Sequence, residues 1–209
     1  NAVGHRPALK FSFHSFDFGP AFVHQAGMPP RTQTLVVSNE DEKPFAIDCL
    51  FDSAAMPFLQ LSDSPTMLAP GHSAEMTVSF MPREARDYRA VIPFQINGLY
   101  TVNVAVTGEG VPLRLDLANP AQTSVNFGSL RGGQSSTREV KLVNRSRLPV
   151  SVSLESSLDA LAANDVTSAN GAAPLVIPAR QTGSLSLTYR PKKRARPFTE
   201  DLGVTLAGG

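Results

Sequence analysis

Residues 68–82 read LAPGHSAEMTVSFMP: a tight turn, an alternating strand and a proline stop. Pro70-Gly71 is a turn dipeptide, in which proline presets φ and glycine takes the positive φ that other residues resist. From Ala74 onward, Met76, Val78 and Phe80 fall on one face and Glu75, Thr77 and Ser79 on the other, the period of a half-buried strand. Proline cannot donate to a central ladder, so Pro82 ends the strand. Residues 176–191, VIPARQTGSLSLTYRP, repeat the pattern: Leu185, Leu187 and Tyr189 alternate with Ser184, Ser186 and Thr188. Phe80 and Tyr189 lie 109 residues apart, as do Pro82 and Pro191. The chain is a tandem repeat.

A length of 209 residues allows one or two domains, and the repeat decides for two. Residues 9–111 and 112–209 are the expected domains, each long enough to bury a core. Residues 1–8 read as a linker arriving from a preceding domain. The 42 % apolar content is that of globular material, and no apolar run approaches the ~20 residues of a membrane helix. Cys49 is the one cysteine, which rules out an intrachain disulfide and fits a reducing compartment. With no tryptophan either, the Cys–Trp–Cys framework of antibody domains is excluded. The charge is uneven. Residues 1–111 carry 7 Lys+Arg against 11 Asp+Glu, a net −4, and residues 112–209 carry 12 against 7, a net +5. Such polarity suits head-to-tail stacking or an acidic partner.

Short alternating stretches punctuated by turn residues run the length of the chain. Phe11 and Phe13 share one face and Phe16 and Phe18 another, so a bend or bulge is needed at His14-Ser15. Residues 32–39 (TQTLVVSN) and the segment opened by Pro44-Phe45 read as strands, with a further short strand or turn in 56–61. Residues 90–96 and 100–107 form a hairpin across Asn97-Gly98, and Gly108-Glu109-Gly110 reads as the strand exit. In the second copy Phe18-Gly19 recurs as Phe127-Gly128, and Asn39 as Asn144. Residues 158–174 are longer than their counterpart, alanine-rich at first, with one helical turn expected before a flexible tip. The copy has no equivalent of strand 100–107, and the parent chain is expected to continue. The fold class is all-β: two tandem immunoglobulin-like sandwiches, about seven strands each, the second truncated.

Motifs for chemistry are sparse. His5, His14, His24 and His72 make no pair at metal-ligand spacing, so neither a metal site nor a cofactor is expected. Gly108-Glu109-Gly110 precedes proline and no helix, unlike a dinucleotide loop. No nucleophile–base arrangement appears, and an enzyme is not expected. Asn144-Arg145-Ser146 matches a glycosylation acceptor, but its place at a strand end, shared with Asn39, points to a turn cap. Arg131-Gly132-Gly133 is a single triplet in a turn, too little for RNA binding. One feature stands above background: residues 190–197, RPKKRARP, hold five basic residues in eight. Arg190, Lys192, Lys193, Arg194 and Arg196 are the candidate contacts for an acidic partner.

The pattern FDFG, TLVVSN, LAPGHSAEMTVSFMP, PFQING and VAVTGEG resembles the ASH-type immunoglobulin-like domains, related in fold to major sperm protein and PapD-like domains. These recur in ciliary and centrosomal proteins. Residues 11–39, together with MPREARDY and INGL, look like the long tandem members of that family found in the central pair apparatus of motile cilia. The resemblance implies an axonemal scaffold in the cytoskeleton, with other axonemal proteins, tubulin and further domains of the same chain as partners, and no membrane or nucleic acid. It supplies no catalytic residues, and the lysine-bearing peptide surface of one major-sperm-protein branch has no counterpart here. Two alternatives stand beside it: an adaptor capturing acidic peptides through Arg190–Arg196, and an accessory sandwich of a secreted bacterial protein.

Overall fold

A computed structural model describes residues 8–62, 64–193 and 196–208, and the chain divides into two compact units. Unit 1 comprises residues 1–24 and 30–111, and unit 2 comprises 25–29 and 112–209. Among the described residues no helix is long and apolar enough to cross a membrane.

In unit 1, β1 (Leu9–Phe11), β3 (Arg31–Asn39), β5 (Leu59–Leu61) and β7 (Ser73–Phe80) form one sheet in the order β1-β3-β7-β5. The other sheet has the order β2-β9-β8-β4-β6, built from β2 (Ser15–Phe22), β4 (Phe45–Cys49), β6 (Met67–Leu68), β8 (Asp87–Ile96) and β9 (Tyr100–Val111). The chain changes sheets between Phe11 and Ser15, where the phenylalanine pattern changes face. The bulge itself lies further on, between Asp17 and Pro20, where β2 shifts register against β9.

Alternation decides what each strand buries. Met76, Val78 and Phe80 of β7 meet Ile92, Phe94, Val104 and Val106 of the opposite sheet in one apolar core. Removing each such side chain from water stabilises the fold by about 1.5–3 kcal/mol. Aromatic rings bridge the two sheets, with Phe18 stacked on Phe80 at 5.3 Å and Phe11 against Phe94 at 5.4 Å. The hairpin turn between β8 and β9 holds Asn97 at φ 51° and Gly98 at φ 66°. The sequence places asparagine and glycine there because few other residues accept that conformation.

Gly108-Glu109-Gly110 does not release the chain. It lies within β9, opposite Tyr88, Asp87 and their neighbours of β8 and beside Pro20 and Ala21 of β2. A Cβ at Gly108 would stand 2.8 Å from the Phe80 ring, and one at Gly110 would overlap the Glu84 carbonyl oxygen. These glycines serve close packing rather than a turn.

Unit 2 repeats the plan. One sheet runs β10-β11-β15-β13, from β10 (Leu115–Leu117), β11 (Ser136–Asn144), β13 (Val166–Ser168) and β15 (Thr182–Tyr189). The other runs β14-β12-β16, from β12 (Val150–Ser153), β14 (Leu175–Ile177) and β16 (Thr205–Gly208). A 3-10 turn, Glu155–Ser157, leads into the alanine-rich insertion, which opens with the helix α1, Leu158–Ala163, and buries Leu161. Beyond α1 the expected flexible tip contains β13, which pairs with β15. Residues 118–135, which include Phe127-Gly128, form no strand, and among the described residues none equivalent to β9 comes after β16.

The two units share a buried polar device. Asn39 donates to the carbonyls of Lys43 and Leu68 at 2.8 and 3.0 Å and accepts from the Asp41 N–H at 2.9 Å. Asn144 donates to the carbonyls of Leu148 and Ile177 at 2.8 and 3.0 Å and accepts from the Ser146 N–H at 2.8 Å. One carboxamide thus caps the strand end and ties it to the opposite sheet. Burial of a polar side chain is tolerated because every group is paired. The amide nitrogen of Asn144 is fully buried and committed, so the Asn144-Arg145-Ser146 sequon is closed in the folded unit.

Candidate partner-contact surface

The loop after the last strand of each four-stranded sheet is anchored by the same backbone hydrogen bond. In unit 1 the His24 N–H donates to the Pro82 carbonyl at 2.7 Å. In unit 2 the Gly133 N–H donates to the Pro191 carbonyl at 3.3 Å. Both pairs are separated by the repeat interval, since His24 and Gly133 also lie 109 residues apart.

Beyond this anchor the two loops are held by different groups. In unit 1 the buried Tyr88 hydroxyl accepts from the N–H groups of Arg83 and Glu84 at 2.9 and 2.8 Å and donates to the Glu84 carbonyl at 3.2 Å. Arg86 lies over the Tyr88 ring and pairs with Glu84 at 3.1 Å. In unit 2 Phe198 takes the ring position, edge-on to Tyr189 at 5.6 Å, as Tyr88 is edge-on to Phe80 at 5.6 Å. Phenylalanine has no hydroxyl to hold the loop.

Asp165 holds it instead. This residue, at φ 56° just past α1, accepts from the Arg190 N–H through its carbonyl at 3.0 Å. Its carboxylate accepts from the Lys192 N–H at 3.2 Å and pairs with Lys192 Nζ at 3.5 Å. Pro191 is buried, whereas Arg190, Lys192, Lys193 and Arg196 point to solvent. Arg194, the fifth candidate, lies outside the described residues.

A further cation escapes sequence reasoning. The Gln134 N–H donates to the Arg131 carbonyl at 3.0 Å and closes a turn that the Gly133–Pro191 hydrogen bond docks on the basic loop, and a Cβ at Gly132 would sit 3.8 Å from the Lys192 carbonyl oxygen. Arg131 is exposed, and its own N–H is held by Gln134 Oε1 at 3.0 Å. Some 60 residues of sequence separate the two basic segments, and only the duplicated backbone bond signals their proximity.

Among the described residues no three His, Cys, Asp or Glu side chains group as metal ligands. Burial pushes the Cys49 thiol up, against a smaller opposite effect of a backbone hydrogen bond at Phe51. Such a thiol is a packing residue, not an activated nucleophile. A shallow concavity of about 360 Å³ opens on the outer face of the five-stranded sheet of unit 1, lined by Asp17, Asp87, Arg89, Thr107 and Glu109 among others. Asp17 is occupied there, accepting from the Gly19 N–H and the Thr107 hydroxyl at 2.9 and 3.0 Å.

Residues 7–109, nearly all of unit 1, match the model described as HYDIN/CFA65/VesB-like, Ig-like domain. That segment belongs to the family. Across 204 residues it is 36 % identical to the hydrocephalus-inducing protein (hydin) of Mus musculus and 33 % identical to the Homo sapiens homolog. Each match covers 97 % of this chain and 4 % of the relative, so the chain spans a small part of the length of these hydin relatives. The ASH / PapD-like domain 7 of human CEP192 matches at 12 % identity and a TM-score of 0.42, over 51 % of this chain and 87 % of that one.

Proposed function

We propose that this hydin-like chain is a non-catalytic scaffold segment of a ciliary axoneme, with residues 9–111 and 112–209 as its two domains. In this reading it bridges central pair microtubules and the proteins that project from them, as a mechanical spacer for ciliary motility. Its partners are axonemal proteins, tubulin and neighbouring domains of the same polypeptide. The observation that carries the reading is the 36 % identity to the mouse hydrocephalus-inducing protein across both sandwiches. The physical character of the units supports it. Their buried polar atoms are spent on tying strand ends, and rigid sandwiches of this kind present faces and edges on which neighbours dock.

The test is retention. A fluorescent fusion of the chain, expressed in motile ciliated cells, is expected to remain in axonemes after detergent extraction. Complete loss on extraction, equal to that of the fluorescent protein alone, rejects the scaffold reading.

A further inference from the structure

We infer that unit 2 docks an acidic protein segment on a composite surface made of two loops, the Arg131 turn and the basic loop bearing Arg190, Lys192 and Lys193. The inference deepens the scaffold reading and rests on it only in taking the partner to be a protein.

Three observations support it. The Gly133–Pro191 hydrogen bond holds the backbones of the two loops together, and Arg131 stands two residues before that junction, on the surface beside the basic loop. The same site in unit 1 carries both signs. Glu84 stands two residues after Pro82, where Lys193 stands after Pro191, and Glu84 neutralises Arg86. The shared backbone anchor is therefore possible without a positive field. Finally, among the described residues Asp165 pairs with Lys192 while fixing the loop backbone, and Arg131, Arg190 and Lys193 are exposed on that frame. Presenting fixed cations lowers the ordering cost of binding a carboxylate-rich segment.

A nucleic acid is the poorer fit. Single-strand binding adds aromatic faces on which bases stack. Here the nearby rings, Phe127, Tyr189 and Phe198, are already packed on one another.

The experiment titrates the whole chain with a fluorescent octaglutamate peptide at low and physiological salt, and with an octathymidine oligonucleotide in parallel. Saturable binding of the peptide that weakens with salt is expected. The variants Arg131→Glu and Lys193→Glu should each weaken it about fivefold, and the pair together more than tenfold, while Lys10→Glu in unit 1 changes nothing. Circular dichroism establishes that the variants fold, and Arg131→Gln serves if Arg131→Glu does not. Loss with Lys193→Glu but not with Arg131→Glu overturns the composite surface. Absence of peptide binding at low salt, or tighter binding of the oligonucleotide, overturns the acidic-protein partner. Either failure leaves axonemal retention of the fusion untouched, so the two readings fall separately.

Discussion

The α-carbon of Gly110 faces the carbonyl oxygen of Glu84 so closely that no side chain fits between them. The Gly110 N–H meanwhile donates to the Arg86 carbonyl at 2.8 Å, so strand β9 and the loop before β8 are locked backbone to backbone. Gly110→Ala should therefore destabilise unit 1 by about 3 kcal/mol, since backbone rather than a mobile side chain must move. Gly108→Ala meets the Phe80 ring and should cost about 1–3 kcal/mol. Denaturant unfolding of the two variants checks the order.

Tyr88→Phe removes one hydroxyl and leaves the N–H groups of Arg83 and Glu84 without their acceptor. The loss expected in urea unfolding is about 1–3 kcal/mol. If the variant matches the parent, water replaces the hydroxyl and the loop needs no clamp.

Asn144→Ala leaves the Leu148 and Ile177 carbonyls and the Ser146 N–H unpaired in a buried place. A loss of about 3 kcal/mol or more is expected from unit 2. Asn39→Ala should do the same to unit 1. Thermal unfolding of both variants, followed by hydrogen exchange, would place each loss in its own unit. In the folded parent, an oligosaccharyltransferase assay at Asn144 should give no glycosylated product.

Cys49 supplies a pH-dependence. Burial raises its pKa, so the folded chain keeps the thiol proton at pH values where the unfolded chain has begun to lose it. The unfolded state then binds fewer protons, and stability falls as pH rises through the ordinary thiol range near 8.5. Disulfide-exchange reagents should react with Cys49 more slowly in the native chain than in urea, and Cys49→Ser should flatten the alkaline fall in stability.

How much of this was legible in the sequence depends on how far each cause reaches along the chain. Met76, Val78 and Phe80 announce their strand and its buried face, because alternation is written locally. Asn97-Gly98 announces its turn for the same reason. The Asn39 and Asn144 caps could be anticipated only through the repeat. Gly108 and Gly110 misled, since what they make room for, the Phe80 ring and the Glu84 carbonyl, is more than twenty residues away in sequence. Strand β13 is three residues long, too short for a period to show, and exists because β15 offers it an edge. Of the candidate surface, the cations of residues 190–193 and Arg196 stood out by composition. Arg131 did not, because its place beside them is a tertiary fact.

The exchange of Tyr88 for Phe198 has a further consequence, for evolvability. In unit 1 an aromatic hydroxyl grips the backbone of the loop, and in unit 2 a carboxylate from another loop does so. Neither grip constrains the side chains of Arg83 and Glu84, or of Lys193, directly. Frames of the same plan can therefore carry different charge without loss of fold. The loop of unit 1 carries both signs, and that of unit 2 a single sign. A long array of such domains would be a set of interchangeable mounts, each free to acquire its own partner by surface substitutions alone.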